Sequence, residues 1–326
     1  MFTNKDIQYR SIYVVNCLEK RNLRVSNGEV LLEDEFDNGE KKTLTKLPFP
    51  KILALFVIGR ITITTPLIEK CKQNGVALVV LKSNLRPVFF LADSAEANFL
   101  LRQKQHAFGK TDISVAKALM YSKIQNQCKL LKNTRRKDDL TLEAIQQCKT
   151  ILNKLFLIND YDTLMGLEGI ASRQFFKAYY QDFAWRQRAP RIKCDAVNAT
   201  LDIGYSILFN FIEVFVRMFG FDVYVGVYHR LWFKRKSLIC DLMEPFRCII
   251  DNQVRKSFRL HQFKEDDFNI IKNEYRLKFE HTGEYYKIFY STLIEYKSEI
   301  FGFIRSYYRC FMQGKPTESY PIFEYK

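Results

Sequence analysis

Residues 76–108 read "VALVVLKSNLRPVFFLADSAEANFLLRQKQHAF". The first half holds two short apolar runs, VALVVL and PVFFLA, of strand length and rich in Val and Phe. From Ala95 onward the pattern is helical, with few Gly or Pro to interrupt it. Upstream, SIYVVN, NLRVS, GEVLLEDE and ILALFVIGRITIT read as further strands. Asn38-Gly39 in DNGEKKTLT reads as the reversal of a hairpin. One short helix is expected at 66–74, opened by Pro66 and closed by Asn74-Gly75. Downstream, helices are expected at 95–107, 112–133, 141–157, 161–185, 195–219, 238–258, 265–278 and 284–311. The expected fold class is α+β, with a small N-terminal β-rich domain over 1–92. A linker at 93–97 then leads to a larger all-helical domain over 98–326.

With 326 residues, 47% of them apolar and 28 of them Phe, the chain can bury a sizeable core. Lys and Arg outnumber Asp and Glu by 51 to 36, a formal charge of +15. Such an excess attracts polyanions, and nucleic acid is the usual one because neutralised phosphates release counterions. An anionic membrane surface is the competing target, but no lysine-rich amphipathic terminal helix is visible, so no membrane partner is expected. Apolar runs such as ILALFVIG (52–59) are too short to span a bilayer, and no signal peptide is evident. The eight cysteines form no CxxC pair and no zinc or disulfide framework. Reduced thiols in a cytoplasmic protein fit best. Five acids at 33–40 (Glu33, Asp34, Glu35, Asp37, Glu40) turn that hairpin away from nucleic acid.

In YDTLMGLEGIASRQFFKAYY (161–180), Tyr161, Leu164, Ala171, Phe175 and Ala178 make an apolar stripe at helical spacing, and Glu168 falls within it. An ionised carboxylate there needs a cation, a metal or hydrogen-bond donors; the plain alternative is an arginine partner from another helix. In LICDLMEPFRCIIDNQVR (238–255), Asp241 and Glu244 project to one side. Pro245 cannot donate to the carbonyl of Asp241, which predicts a bend. A solvated polar face is the plain alternative. His229 follows the extended run GFDVYVGVY. Carboxylates, one imidazole and nearby cations are together the parts of a divalent-metal site acting on phosphate. The donors suit Mg²⁺ or Mn²⁺, the imidazole favouring Mn²⁺. RLWFKRK (230–236) mixes Arg230, Lys234, Arg235 and Lys236 with Trp232 and Phe233, a pattern that can hold phosphates and stack on an unpaired base. RQRAPRIK (186–193) is a second basic loop.

LMGLEGIASRQFF, DAVNATLDIGYSIL and YHRLWFKRKSLICDLMEPFR, in that order, resemble the CRISPR-associated protein 1 family, the integrase and endonuclease of spacer acquisition. RQKQHAF (102–108) and AKALMYSKIQNQCKLL (116–131) resemble the helical segments that precede the glutamate in that family. The likeness covers most of the chain. It implies an N-terminal β domain joined to a helical catalytic domain, working as a homodimer with CRISPR-associated protein 2. It implies a metal held by Glu168, His229 and Glu244, with Asp241 lining the same catalytic site. The implied reaction joins the 3′-hydroxyl ends of foreign double-stranded DNA to a CRISPR repeat. Arg230, Lys234, Arg235, Lys236 and Arg247 are the candidate phosphate contacts for such a substrate. Cys248 stands where many relatives have proline, and KCDAVN (193–198) lacks the usual proline-rich lead; neither change removes a ligand. Two other readings stay open: a non-catalytic nucleic-acid scaffold, and a metal-dependent nuclease unrelated to CRISPR.

Overall fold

The structure, a computed structural model, describes residues 2–17, 21–35, 40–92, 95, 97–108, 113–135, 137–183 and 185–326. Its first part runs α1 (Asn4–Tyr9), β1 (Ser11–Cys17), β2 (Arg21–Ser26), β3 (Glu29–Glu35), β4 (Lys41–Pro48), β5 (Ile52–Gly59), α2 (Thr65–Gln73), β6 (Ala77–Leu81) and β7 (Pro87–Leu91). Strands β2, β3 and β4 form an antiparallel meander. The other sheet has the order β1-β5-β6-β7, parallel across the first three strands and antiparallel at β7. Helix α1 was not expected; a capping box between Thr3 and Asp6 starts it. The Asn38-Gly39 reversal and Asp37 lie outside the described residues, as do 93, 94 and 96 of the expected linker.

The run in β5 does not alternate because both faces of the strand are covered, the usual setting of a parallel sheet. Leu55 and Val57 join a small core with β2, β3 and α2, while Phe56 and Ile58 join the main core of the chain. There Phe56 meets Phe211, 6.3 Å between ring centroids, and Tyr290, 5.2 Å. The sheet therefore packs directly onto the helices that follow.

Those helices are α3 (Phe99–Ala107), α4 (Ser114–Lys132), α5 (Asp139–Leu155), α6 (Tyr161–Tyr179), α7 (Ala196–Met218), α8 (Ser237–Met243), α9 (Arg247–Arg259), α10 (Thr282–Glu295) and α11 (Lys297–Gln313). The second part is not all-helical. The helix expected at 265–278 is instead a hairpin of β8 (Phe268–Ile271) and β9 (Glu274–Leu277). Lys272 and Asn273 turn it at φ +53° and +61°, the left-handed pair that a two-residue hairpin loop requires. The segment 284–311 splits at Tyr296 into α10 and α11. The expected bend at Pro245 is present, as a 3₁₀ turn over Glu244–Phe246 between α8 and α9. Helix α7 corrects the expectation about apolar length. By length and composition it could cross a membrane, yet it is mostly buried within the protein as a core helix. Residues 320–326 return along α4: Asn126 Nδ2 donates to the carbonyls of both Pro245 and Phe323.

Candidate active site

Asp160 caps α6 by accepting from the Thr163 amide at 2.8 Å, and this fixes the helix's rotation. Leu164, Ala171, Phe175 and Ala178 are buried as the stripe predicts, and Glu168 points inward beside them. Its partner is a lysine rather than an arginine. Lys123 Nζ on α4 lies 2.5 Å from Glu168 Oε1 and 2.6 Å from Glu244 Oε2. Two carboxylates far apart in sequence thus share one ammonium whose side chain is 6% exposed. Ser172 Oγ, one turn beyond Glu168, donates to the same Oε1 at 2.7 Å.

Burial works against ionised Glu168, but the Lys123 ammonium and the Ser172 hydroxyl outweigh it and draw its pKa down to about 2. Burial likewise opposes ionised Glu244, and the neighbouring Arg247 and Lys123 overcome it. For Lys123, burial opposes the charge and the two carboxylates restore it, holding the pKa above the usual lysine value. All three groups are charged at neutral pH. Arg247 Nε lies 3.4 Å from Glu244 Oε1, and its guanidinium stacks on Tyr205 at 4.6 Å.

Asp241 serves the loop before α8. It is fully buried, and both oxygens are engaged. Oδ2 accepts from the amides of Val227 (2.6 Å) and Tyr228 (3.0 Å). Oδ1 meets the His229 amide at 2.9 Å and His229 Nδ1 at 2.6 Å. A carboxylate only accepts, so Nδ1 carries the proton and a neutral His229 offers its lone pair at Nε2. The loop closes over the acid tightly: a Cβ on Gly226 would lie 2.5 Å from Asp241 Oδ2, so only glycine fits. Asp241 and Glu244, expected to project to one side, have different partners. The proline turn separates them, one bound to the loop and the other to Lys123.

His229 opens on a cavity of about 770 Å³ lined also by His106, Tyr161, Tyr228 and Arg230. Burial first, and then the carboxylates of Glu168, Glu244 and Asp241, hold the Tyr228 phenol protonated. Its hydroxyl is buried without a hydrogen-bond partner, and Glu244 Oε2 has none beyond its ion pair with Lys123.

These features test a divalent ion's fit. Among the described residues, no three His, Cys, Asp or Glu side chains are gathered closely enough to hold one, so the expected trio is only partly assembled. Glu168 and Glu244 converge, and the place between them already holds a cation. His229 is presented separately, with Nδ1 tied to a carboxylate as metal-binding histidines are. Two carboxylates, an imidazole nitrogen and orphaned polar atoms beside them fit Mg²⁺ or Mn²⁺ in chemistry.

The sequence model of the family described as "CRISPR associated protein Cas1" matches residues 16–290. The chain belongs to the Cas1 family. It is 30% identical over 234 residues to a protein of Thermodesulfovibrio yellowstonii named CRISPR-associated endonuclease Cas1 1, covering 68% of this chain and 73% of that one. Two solved structures share the fold at 18% identity. One is a Cas6-RT-Cas1–Cas2 complex (TM-score 0.78, 98% of this chain and 36% of that larger chain). The other is a casposase bound to an integration product (TM-score 0.72, 97% of this chain and 96% of that one). The Cas1 match spans Lys123, Glu168, His229, Asp241 and Glu244 alike.

The basic residues of this Cas1-family chain divide into two groups. Trp232 and Phe233 are 76% and 83% exposed, with Lys234 Nζ 5.0 Å over the Phe233 ring. Arg230 is exposed and pairs with exposed Asp162 at 2.8 Å, and Arg235 is half-buried. Lys236 and Arg247, expected as phosphate contacts, already have partners within the protein. Lys236 Nζ lies 2.7 Å from both oxygens of the fully buried Glu213, and Arg247 is engaged with Glu244 and Tyr205. In the second basic loop Arg188 is held by Asn198 (2.9 Å) and Asp202 (2.5 Å).

This division sets two expected outcomes. Lys236→Ala leaves Glu213 with Arg217 alone and lowers stability by about 1–3 kcal/mol in urea unfolding, without changing the salt dependence of DNA binding. Replacing Arg230, Lys234 and Arg235 together by Ala weakens binding to all sequences and flattens the salt slope by nearly one log unit for each phosphate no longer neutralised. An unchanged slope in the triple variant shows that this loop does not touch phosphate. Sequence reasoning missed Lys123, Ser172, Tyr228, Gly226 and Glu213. Only Glu213 carried a signal, as a lone acid in the apolar run FNFIEVFV.

Proposed function

We propose that this chain is a DNA integrase and endonuclease of CRISPR adaptation, dependent on Mg²⁺ or Mn²⁺. It joins the 3′-hydroxyl ends of short foreign double-stranded DNA fragments to the repeat of a CRISPR array. The observation that carries this reading is the convergence of Glu168 and Glu244 on one cation, with His229 separately held by Asp241. Membership of the Cas1 family supports it, as does a fold shared with a casposase bound to an integration product. The Cas2 named in the first structural neighbour supports a Cas2 partner, and the proposal includes a homodimer of this chain working in the cytoplasm.

In this reading Glu168 and Glu244 are the carboxylate ligands and His229 supplies Nε2. Asp241 is a positioning residue that fixes the imidazole's tautomer and direction. A divalent ion held there would polarise the scissile phosphate and offset charge on the attacking and leaving oxygens. The reaction is a transesterification: the 3′-oxygen of the fragment bonds to phosphorus, the repeat's own 3′-oxygen leaves, and a proton passes from one hydroxyl to the other. One phosphodiester replaces another, so no nucleotide is consumed. In this reading the exposed Trp232, Phe233 and Lys234, just after the cavity-lining Arg230 and Leu231, would hold the DNA. Water in place of the 3′-hydroxyl gives endonuclease activity.

The engagement of Glu168 and Glu244 by Lys123 also favours a second reading, a non-catalytic scaffold with internal ion pairs. One experiment separates them. Chain, Cas2 partner, Mn²⁺ and a fragment with free 3′-hydroxyls are incubated with a repeat-containing plasmid. The catalytic reading expects fragment joined at the repeat edge, and full loss on adding EDTA. Joining that survives EDTA, or cutting without joining, contradicts it; no reaction on the DNA in any condition supports the scaffold.

A further inference from the structure

We propose that Lys123 is the resident counter-ion of the Glu168–Glu244 site, and that a divalent cation enters by displacing its ammonium. The inference rests on the metal-dependent reading above and extends it to a residue that reading does not use.

Among the four side chains in direct contact the charges are balanced; buried Asp251 also lies near Lys123 and Arg247, its pKa pushed up to about 7 by burial. Glu168 and Glu244 contribute two negative charges, and Lys123 and Arg247 two positive ones, all within reach of one another. A divalent ion added with Lys123 in place would leave two uncompensated positive charges in a buried setting, which is strongly unfavourable. One cation must therefore withdraw, and the structure distinguishes the two candidates. Arg247 is braced by the Tyr205 ring, 4.6 Å from its guanidinium, and its Nε makes only a 3.4 Å ion pair, without a hydrogen bond, to the other oxygen of Glu244. Lys123 is a compact ammonium on a four-carbon stem, able to swing without moving α4. It also lies between one carboxylate oxygen of each glutamate, at 2.5 and 2.6 Å, the groups that would hold an ion. Glu244 Oε2 has no hydrogen-bond donor to retain it once that ammonium leaves. The orphaned Tyr228 hydroxyl is a further polar group ready for an incoming hydrated ion.

Competition of this kind keeps the acids neutralised before the ion arrives and makes metal affinity lower than the carboxylates alone would give. It also distinguishes Lys123 from a merely structural ion-pair partner. Removing a structural partner weakens a site, whereas removing a competitor strengthens it.

The test is Mn²⁺ binding to the full chain, by titration calorimetry and by the paramagnetic resonance of free Mn²⁺, with melting measured in EDTA and in Mn²⁺. Lys123→Met is expected to bind Mn²⁺ on the order of tenfold more tightly than the unaltered chain. It is also expected to melt lower in EDTA and to regain that loss in Mn²⁺. Lys123→Arg, which retains a cation, is expected to keep the original affinity or bind more weakly. Should Lys123→Met fail to fold, Lys123→Gln replaces it, since a neutral amide can still donate to the facing oxygens. Equal or weaker Mn²⁺ binding by the neutral variant, with the unaltered chain binding normally, overturns the counter-ion role and leaves the metal reading intact. Absence of Mn²⁺ binding in every variant, or binding that Glu168→Ala does not diminish, overturns both.

Discussion

Glu168→Ala is expected to abolish strand transfer, by on the order of a thousandfold or more, with DNA affinity nearly unchanged. The size follows from removing one of two carboxylates from a site whose charge stabilisation is worth several kcal/mol. The small effect on DNA follows because Glu168 is buried against Lys123 and Ser172, while the exposed cations and aromatics lie on the loop after His229. The fold should also survive at some cost in stability, since Lys123 keeps Glu244 as a partner although one positive charge is left uncompensated. The measurements are fragment joining, fluorescence anisotropy on duplex DNA and thermal melting. A variant that melts normally and integrates normally would remove Glu168 from the site.

The second large effect is structural in origin. Asp241→Ala withdraws the acceptor for three consecutive amides, those of Val227, Tyr228 and His229, and for the His229 ring. Leaving several buried donors unsatisfied costs about 3–5 kcal/mol, and the imidazole loses its direction as well. Both stability in urea and strand transfer should fall together. Gly226→Ala should mimic it, because the added methyl meets Asp241 Oδ2 and the Ser237 backbone. Glu168→Ala should lose transfer and still fold. If Asp241→Ala keeps its stability and loses only activity, Asp241 acts on the reacting groups directly and the positioning role is wrong.

The parts of this protein legible in its sequence are those that local periodicity controls. The passage from strands to helices was visible because β5 and β6 are continuous apolar runs and α5 to α7 carry capped, periodic patterns. Glu168 stood out because it interrupts an apolar stripe, and the bend at Pro245 followed from a missing amide. Lys123 was illegible for the complementary reason. Helix α4 is buried nearly all round and carries Ser122, Lys123, Asn126 and Gln127 inside, so no polar face marks the lysine as internal. A lysine tolerates burial only through partners, here supplied by α6 and the α8–α9 turn, far away in sequence. Similar long-range pairing engages Lys236 with Glu213, and sets Arg247 over the Tyr205 ring. Asp241 and Glu244 looked equivalent at i and i+3, but the 3₁₀ turn at Glu244–Phe246 and the loop folding back over Gly226 gave them different partners. The β8–β9 hairpin was read as helix because its strands are only four residues each, too short for alternation to declare itself.

The central claim, that Glu168, Glu244 and His229 hold a divalent ion, is tested most directly by anomalous diffraction from crystals of the chain grown with Mn²⁺. The predicted result is one Mn²⁺ peak about 2.0–2.3 Å from a carboxylate oxygen of each glutamate and from His229 Nε2, with Lys123 Nζ withdrawn. Saturating Mn²⁺ that leaves Lys123 between the two glutamates, with no anomalous peak at the site, would contradict it.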